Sequence, residues 1–234
     1  MSDTKILTGA IQPSFPVQRR APSIRLVDYL CAIRRWLDVE TLEHVIYCDA
    51  SGCHIPENLF GSEKFESLTM DASEHARKYH AGRAEAESLQ FALNTSRRRI
   101  ESFYKCTGRL FVKNFTELQS KVAASPEAEL FLRKWYRDDW ADTRLFYMKT
   151  QSFQRLVEPR TNELTGPDYG GHVIESLFRE FYGDEWTFPA PIFMGHDGHN
   201  GSILDDSYTE DEIHMAGNIV SVCGLKYFGL RQTA

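Results

Sequence analysis

No stretch of this 234-residue sequence approaches the ~18 consecutive apolar residues of a membrane-spanning helix, so membrane contact is expected to be peripheral at most. The segment Met1 to Lys5 is polar and carries no apolar core of a secretory leader, which gives the expectation of a soluble, cytoplasmic protein. Cysteine is sparse. The five residues Cys31, Cys48, Cys53, Cys106 and Cys223 are an odd number without a CxxC pair, so neither a disulfide framework nor a zinc knuckle is indicated. That usage suits a reducing compartment. Basic charge is in deficit: 27 Lys and Arg stand against 33 Asp and Glu, a net charge of -6. This excludes a general nucleic-acid binder and means that an anionic ligand needs a local basic pocket. Cations that suit such a pocket are Arg19, Arg20, Arg25, Lys78, Arg83, Lys105, Arg109 and Lys113, all in the first half. No repeat, low-complexity segment or linker interrupts the chain, which reads as a single domain over 1–234.

Hydrophobic residues make up 42%, enough for a substantial core. Lys5 to Ile11 reads as a buried strand, and the proline-rich segment 12–23 as a loop whose Ser23 is placed to cap a helix. Leu26, Leu30, Ile33 and Leu37 recur at helical spacing. His44 to Cys48 is β-prone and ends at Asp49-Ala50-Ser51-Gly52. Strand, loop, helix, strand opens an α/β sheet, and such sheets bind ligands beyond the carboxyl ends of their strands. Further on, 71–99 reads as helical, 102–112 as a strand, 116–122 and 127–136 as helices, and 144–148 as a strand. Helices follow over 151–157 and 170–182, then an extended segment over 188–194 and a helix over 210–223.

Ser102 to Asn114 carries the densest chemistry. An apolar, strand-like run is broken by Lys105, Thr107, Gly108 and Arg109, then resumes at Leu110. Two cations inside a strand are costly unless they meet an anion. A Lys point charge beside an Arg fork suits a phosphate, and Gly108 leaves room for a ligand or another backbone. An edge strand whose cations deter aggregation explains the same pattern. Asp49 at a strand end suits hydrogen bonds to a ribose or base, or a plain Asx turn. Gly82-Arg83-Ala84-Glu85-Ala86-Glu87 opens a helix, where Arg83 favours an anion and Glu85 and Glu87 suit the dipole. Asp142-Thr143-Arg144 reads as a salt-bridged turn before a strand. His172 and Glu175 share a helix side, as a general base would, or as a solvated face would. In Gly195 to Gly201, His196, Asp197 and His199 suit either a divalent metal or a turn that closes over a substrate.

Three of these motifs, in order, resemble bacterial glycosyltransferase-like proteins of surface-polysaccharide (lipopolysaccharide or capsule) biosynthesis. They are Cys48-Asp49-Ala50-Ser51-Gly52, Gly82 to Glu87, and the Lys105 to Asn114 strand with its Thr107-Gly108-Arg109 core. The resemblance implies a GT-A-like, Rossmann-related α/β fold with a mostly parallel central sheet flanked by helices. Its nucleotide-binding half would span about 1–115 and its acceptor half about 116–234. It implies a nucleotide-sugar donor bound by Asp49, Ser51, Gly82, Arg83, Glu87, Thr107 and Gly108. Lys105 and Arg109 would lie near the donor phosphates, and Glu175 would deprotonate a glycan or lipid-linked acceptor. Asp142, His172, His196 and His199 would serve the acceptor or a lid. The family's DxD metal motif is absent, so cations are expected to neutralise the leaving phosphate, with Mn2+ or Mg2+ as the alternative. A non-catalytic nucleotide-sugar module and a metal-dependent hydrolase using His196, Asp197 and His199 are the other readings.

Overall fold

The computed structural model describes residues 3–14, 17, 21–79, 81–134, 141–166, 174–181, 187–197 and 201–230. Eight strands and seven helices follow in chain order among them. They are β1 (Thr4–Gly9), α1 (Pro22–Leu37), β2 (His44–Asp49), β3 (Phe65–Thr69), α2 (Ser73–Lys78), α3 (Ala81–Thr95), β4 (Ser102–Thr107), β5 (Phe111–Val112), α4 (Phe115–Ala123), β6 (Leu130–Lys134), β7 (Ala141–Lys149), α5 (Thr150–Leu156), α6 (Ile174–Phe181), β8 (Phe193–Met194) and α7 (Glu210–Cys223).

Six strands form one sheet in the order β3-β2-β1-β4-β7-β6. The first four run parallel, while β7 is antiparallel to both β4 and β6. Parallel strands need crossovers, and α1 and then α2–α3 supply them. The fold is therefore the expected α/β class: a mostly parallel sheet with helices on both faces. Burial on both faces explains the near-continuous apolar strands. Alternate residues serve alternate layers. Leu7, Tyr47, Tyr104 and Cys106 pack towards α1, α4 and α7, whereas Ile6, Ile46, Cys48 and Phe103 pack towards α3, α5 and α6. Each large apolar side chain buried this way contributes about 1.5–3 kcal/mol.

Lys5 breaks the pattern. It is fully buried in the α1–α4 layer, its Nζ lying 3.9 Å from the Trp36 ring centre and 4.7 Å from that of Phe115. That Nζ has no hydrogen-bond partner among the described residues.

Several elements depart from expectation. Pro22 takes the first position of α1 and Ala21 is its cap, so Ser23 lies inside the helix. A proline there loses no hydrogen bond that a helix would have formed. The expected helix at 127–136 is strand β6. Leu130, Phe131 and Leu132 pair with Met148, Tyr147 and Phe146, and this pairing outweighs local propensity. Strand β3 went unread because it is short and carries a charge at Glu66. The helical stretch at 71–99 holds two helices, α2 and α3, the second starting at Ala81, next to the opening expected at Gly82. The expected strand at 102–112 turns after Thr107, where the Leu110 N–H donates to the Thr107 carbonyl at 2.9 Å. Its continuation leaves the main sheet and pairs with β8. All five cysteines are free and four are buried.

Candidate functional site

A cavity opens beyond the carboxyl ends of β1, β2 and β4, where the start of antiparallel β7 also lies. Between β1 and β4 the chain's winding changes direction, which is where open α/β sheets bind ligands. The cavity offers about 220 Å3, many times the ~10–15 Å3 that one water needs on the same measure, so it admits an organic ligand.

Gly9 lines it, and Gly108 sits between the lining residues Thr107 and Arg109. A Cβ on Gly9 would lie 2.4 Å from the Tyr29 ring, and one on Gly108 would lie 2.9 Å from it. The space that Gly108 leaves is taken by Tyr29 and, as expected, by another backbone: the Thr8 carbonyl, 3.0 Å from such a Cβ, accepts from the Gly108 N–H at 2.7 Å. The Tyr29 hydroxyl accepts from the Ala10 N–H at 3.0 Å. One helical turn earlier, buried Arg25 holds the Ala10 carbonyl with Nε at 3.0 Å and Nη2 at 2.7 Å. The loop after β1 is thus fixed by α1.

Asp49 does not offer a free carboxylate to a ribose or base. It is fully buried, and Oδ2 accepts from the Ile11 N–H at 3.0 Å and the Tyr47 hydroxyl at 2.7 Å. Oδ1 accepts from the Ser51 N–H and hydroxyl and from the Cys53 N–H at 2.7, 2.6 and 3.0 Å. Five protein donors saturate it, so its work is to join the loops after β1 and β2. Ser51 lines the cavity and its Oγ accepts from the Gln12 N–H at 3.0 Å.

Lys105 is also turned to an internal task. It is fully buried on a central strand, which rules out the edge-strand explanation, and its Nζ lies 2.5 Å from Glu85 Oε1. It also donates to the Thr143 carbonyl at 2.7 Å. The anion it requires is therefore a protein carboxylate, not a donor phosphate. Glu85 lines the cavity in front of it.

Arg109 does line the cavity, beside Thr107, and its Nε donates to the His196 carbonyl at 2.9 Å. That bond uses one of five guanidinium donors. Arg144 lines the cavity too. It is paired bidentately with buried Asp142 at 2.7–2.9 Å and lies over the Phe193 ring at 4.5 Å. Asp142 thereby positions Arg144. Glu175 lines the opposite wall, where its Oε1 accepts from the Thr143 hydroxyl at 3.1 Å. Burial is the main cause pushing its carboxyl above the ordinary value, and the charge of Glu85 adds to it.

The remaining expected residues disperse. Arg83 donates to Glu87 at 3.0 Å and to Asn162 at 3.0 Å, and Glu87 also pairs with His75 at 2.8 Å; neither lines the cavity. Gly82 does line it, in the first turn of α3. His196 Nδ1 lies 3.4 Å from Asp28, away from the lining. His172, His199, Arg19 and Arg20 lie outside the described residues, as do the flanking residues of the 170–182 helix. Among the described residues no three His, Cys, Asp or Glu side chains group so as to hold a metal ion. The cavity carboxylates Glu85 and Glu175 already have the Lys105 ammonium as their counter-charge. The described lining therefore does not fit a divalent cation.

Sequence reading gave no site role to Glu85, Tyr29 or Arg144, and it named Arg25 only as one cation among eight. The available signal was the i, i+4 pair Arg25 and Tyr29 on the face of α1 that looks back at β1.

No family model and no curated protein matches the chain. Several solved structures resemble its fold. A 4-diphosphocytidyl-2C-methyl-D-erythritol synthase from Anaerococcus prevotii is 11% identical over 94% of this chain and 98% of its own, with a TM-score of 0.45. An inositol-1-phosphate CTP transferase from T. maritima is 12% identical over 94% and 96%, with a TM-score of 0.44. A glycosyltransferase from Streptococcus pneumoniae is 8% identical over 80% of this chain and 45% of its own, with a TM-score of 0.46. The likeness is one of fold alone.

Proposed function

We propose that the protein is a glycosyltransferase that takes a nucleotide-sugar donor and passes the sugar to a hydroxyl of a glycan or lipid-linked acceptor in surface-polysaccharide synthesis. The observation that supports this is the two-sided charge of the cavity. Arg25, Arg109 and Arg144 stand on its α1 side, and Glu85 and Glu175 stand on its α3–α6 side. A diphosphate with a sugar attached has the matching asymmetry: anionic at one end, rich in hydroxyl donors at the other.

In the reaction the acceptor oxygen bonds to the anomeric carbon as the bond from that carbon to the phosphate oxygen breaks. The electron pair leaves with the phosphate, whose growing charge the guanidinium groups stabilise. The acceptor proton passes to Glu175, whose raised proton affinity suits a general base. No helix among the described residues is long and apolar enough to cross a membrane, so a lipid-linked acceptor would be met at the membrane surface.

A thermal-shift series with UDP, GDP, CMP and dTDP, each with and without Mn2+, tests the reading. A nucleotide at about 100 times its dissociation constant adds about 2.7 kcal/mol of stability. One nucleotide should shift the transition without needing Mn2+, and its sugar conjugates should be turned over. A shift that requires Mn2+ would overturn the metal-free site. Release of pyrophosphate from a nucleoside triphosphate, with no turnover of sugar conjugates, would reassign the protein to nucleotidyl transfer.

A further inference from the structure

The α3–α6 wall holds a cluster that the transferase reading uses only in part. Helices α3 and α6 bring their first turns together over one end of the sheet. The contact is close because residue 82 is glycine, where a Cβ would stand 3.1 Å from Ile174. Glu85 on α3 and Glu175 on α6 thereby line the same cavity. Thr143 and Lys105 stand between them. Glu175 accepts from the Thr143 hydroxyl at 3.1 Å, the Thr143 carbonyl accepts from Lys105 at 2.7 Å, and the Lys105 ammonium lies 2.5 Å from Glu85.

We propose that Glu85 and Glu175 act as one two-carboxylate unit that handles a single proton, with Lys105 as the fixed counter-charge behind them. Its substrate, an acceptor hydroxyl, rests on the transferase reading; its electrostatics do not. The charged groups facing Glu175 are Glu85 from α3 and Lys105 from β4, while β7 contributes the neutral Thr143 hydroxyl. Two carboxylates therefore share one cation. With both ionised the cluster carries one net negative charge, and one proton makes it neutral. Lys105 holds Glu85 by direct ion pairing, so the proton goes to Glu175. Glu175 receives it from the acceptor hydroxyl as the oxygen bonds to carbon, and the leaving electron pair goes to the phosphate on the arginine side. Glu175 is the catalytic residue in this scheme. Glu85 and Lys105 are positioning residues that act through it.

The test is a carbon-13 NMR titration of the full chain labelled at glutamate Cδ, with the Glu175 resonance assigned by its loss in Glu175→Gln. Glu85→Gln should lower the Glu175 midpoint by about one pH unit or more, because a neighbouring negative charge is gone. Lys105→Met should raise it. If Lys105→Met does not fold, Glu85→Asp replaces it: the retained charge should keep the midpoint closer to wild type than Glu85→Gln does. A Glu175 midpoint that stays within about 0.3 of wild type in Glu85→Gln overturns the proposal. An unmoved midpoint with sugar transfer intact would leave the transferase reading standing alone. A shifted midpoint without transfer to any acceptor would leave the carboxylate unit standing and remove that reading.

Discussion

Replacing Lys5 with methionine should stabilise the protein at neutral pH and change how its stability depends on pH. Lys5 is fully buried against Trp36 and Phe115, and burial lowers its pKa from an ordinary 10.5 to about 7. The folded protein thus favours the neutral amine, while the unfolded chain keeps its proton up to pH 10.5. Between those values the unfolded state binds more protons, so this group makes stability rise with pH. The penalty is fully present below about pH 7 and vanishes above 10.5. At 1.36 kcal/mol per pH unit, its full size is about 5 kcal/mol. Attraction between the ammonium and the Trp36 ring offsets up to ~2 kcal/mol of it. From pH 7 to 9 the wild type should gain about 1–2 kcal/mol relative to Lys5→Met. Buried thiols such as Cys31 and Cys48, pushed up to about 12, act in the opposite direction at alkaline pH, but they are common to both proteins and cancel in the difference. Urea unfolding of the two proteins at pH 6, 7, 8 and 9 gives the comparison. Parallel stability curves would refute the reasoning and mean that Lys5 stays charged in the fold.

Arg109→Ala should weaken nucleotide binding at least tenfold, since a hydrogen bond from a charged donor contributes about 1.5–3 kcal/mol, and isothermal titration reads this directly. Its unfolding midpoint should stay within about 2 °C, because its bond to the His196 carbonyl is only part-buried. Asp49→Ala leaves buried donors without an acceptor and should cost at least ~3 kcal/mol in urea unfolding. Full stability with lost nucleotide binding would instead show that Asp49 meets the ligand. Gly9→Ala drives a methyl group into Tyr29 and should cost about 1–3 kcal/mol, a loss that shrinks in a Tyr29→Ala background.

The parts of this fold that could be read from sequence are those whose local pattern and tertiary role agree. Strands β1 and β2 are apolar runs bounded by polar ends, and α1 and α7 carry helical periodicity over three turns or more. Strand β6 failed because Leu130 to Leu132 is an apolar run that fits either element, and only pairing with β7 decides it. The site was legible as a set of residue types but not as a set of contacts. The cost of a cation inside β4 was read correctly, yet sequence spacing does not reveal that Glu85, twenty positions earlier, reaches back to meet it. Asp49 was equally visible as a strand-end acid. That five protein donors surround it depends on the loop after β1, 38 residues away for Ile11, which no local pattern encodes.

The late position of β7 in the chain has a consequence for synthesis. β4 ends at Thr107, but its sheet partner begins only at Ala141, with β6 and its own apolar row in between. While the chain is being made, β1 to β4 can assemble before β7 exists, and during that interval β4 is a bare edge with unpaired backbone groups. A charge pointing out of such an edge discourages another strand from adding to it. Lys105 is not that charge, because it turns to the α3 side of the sheet, where Glu85, already made, meets it; the open edge of β4 is closed only when β7 arrives.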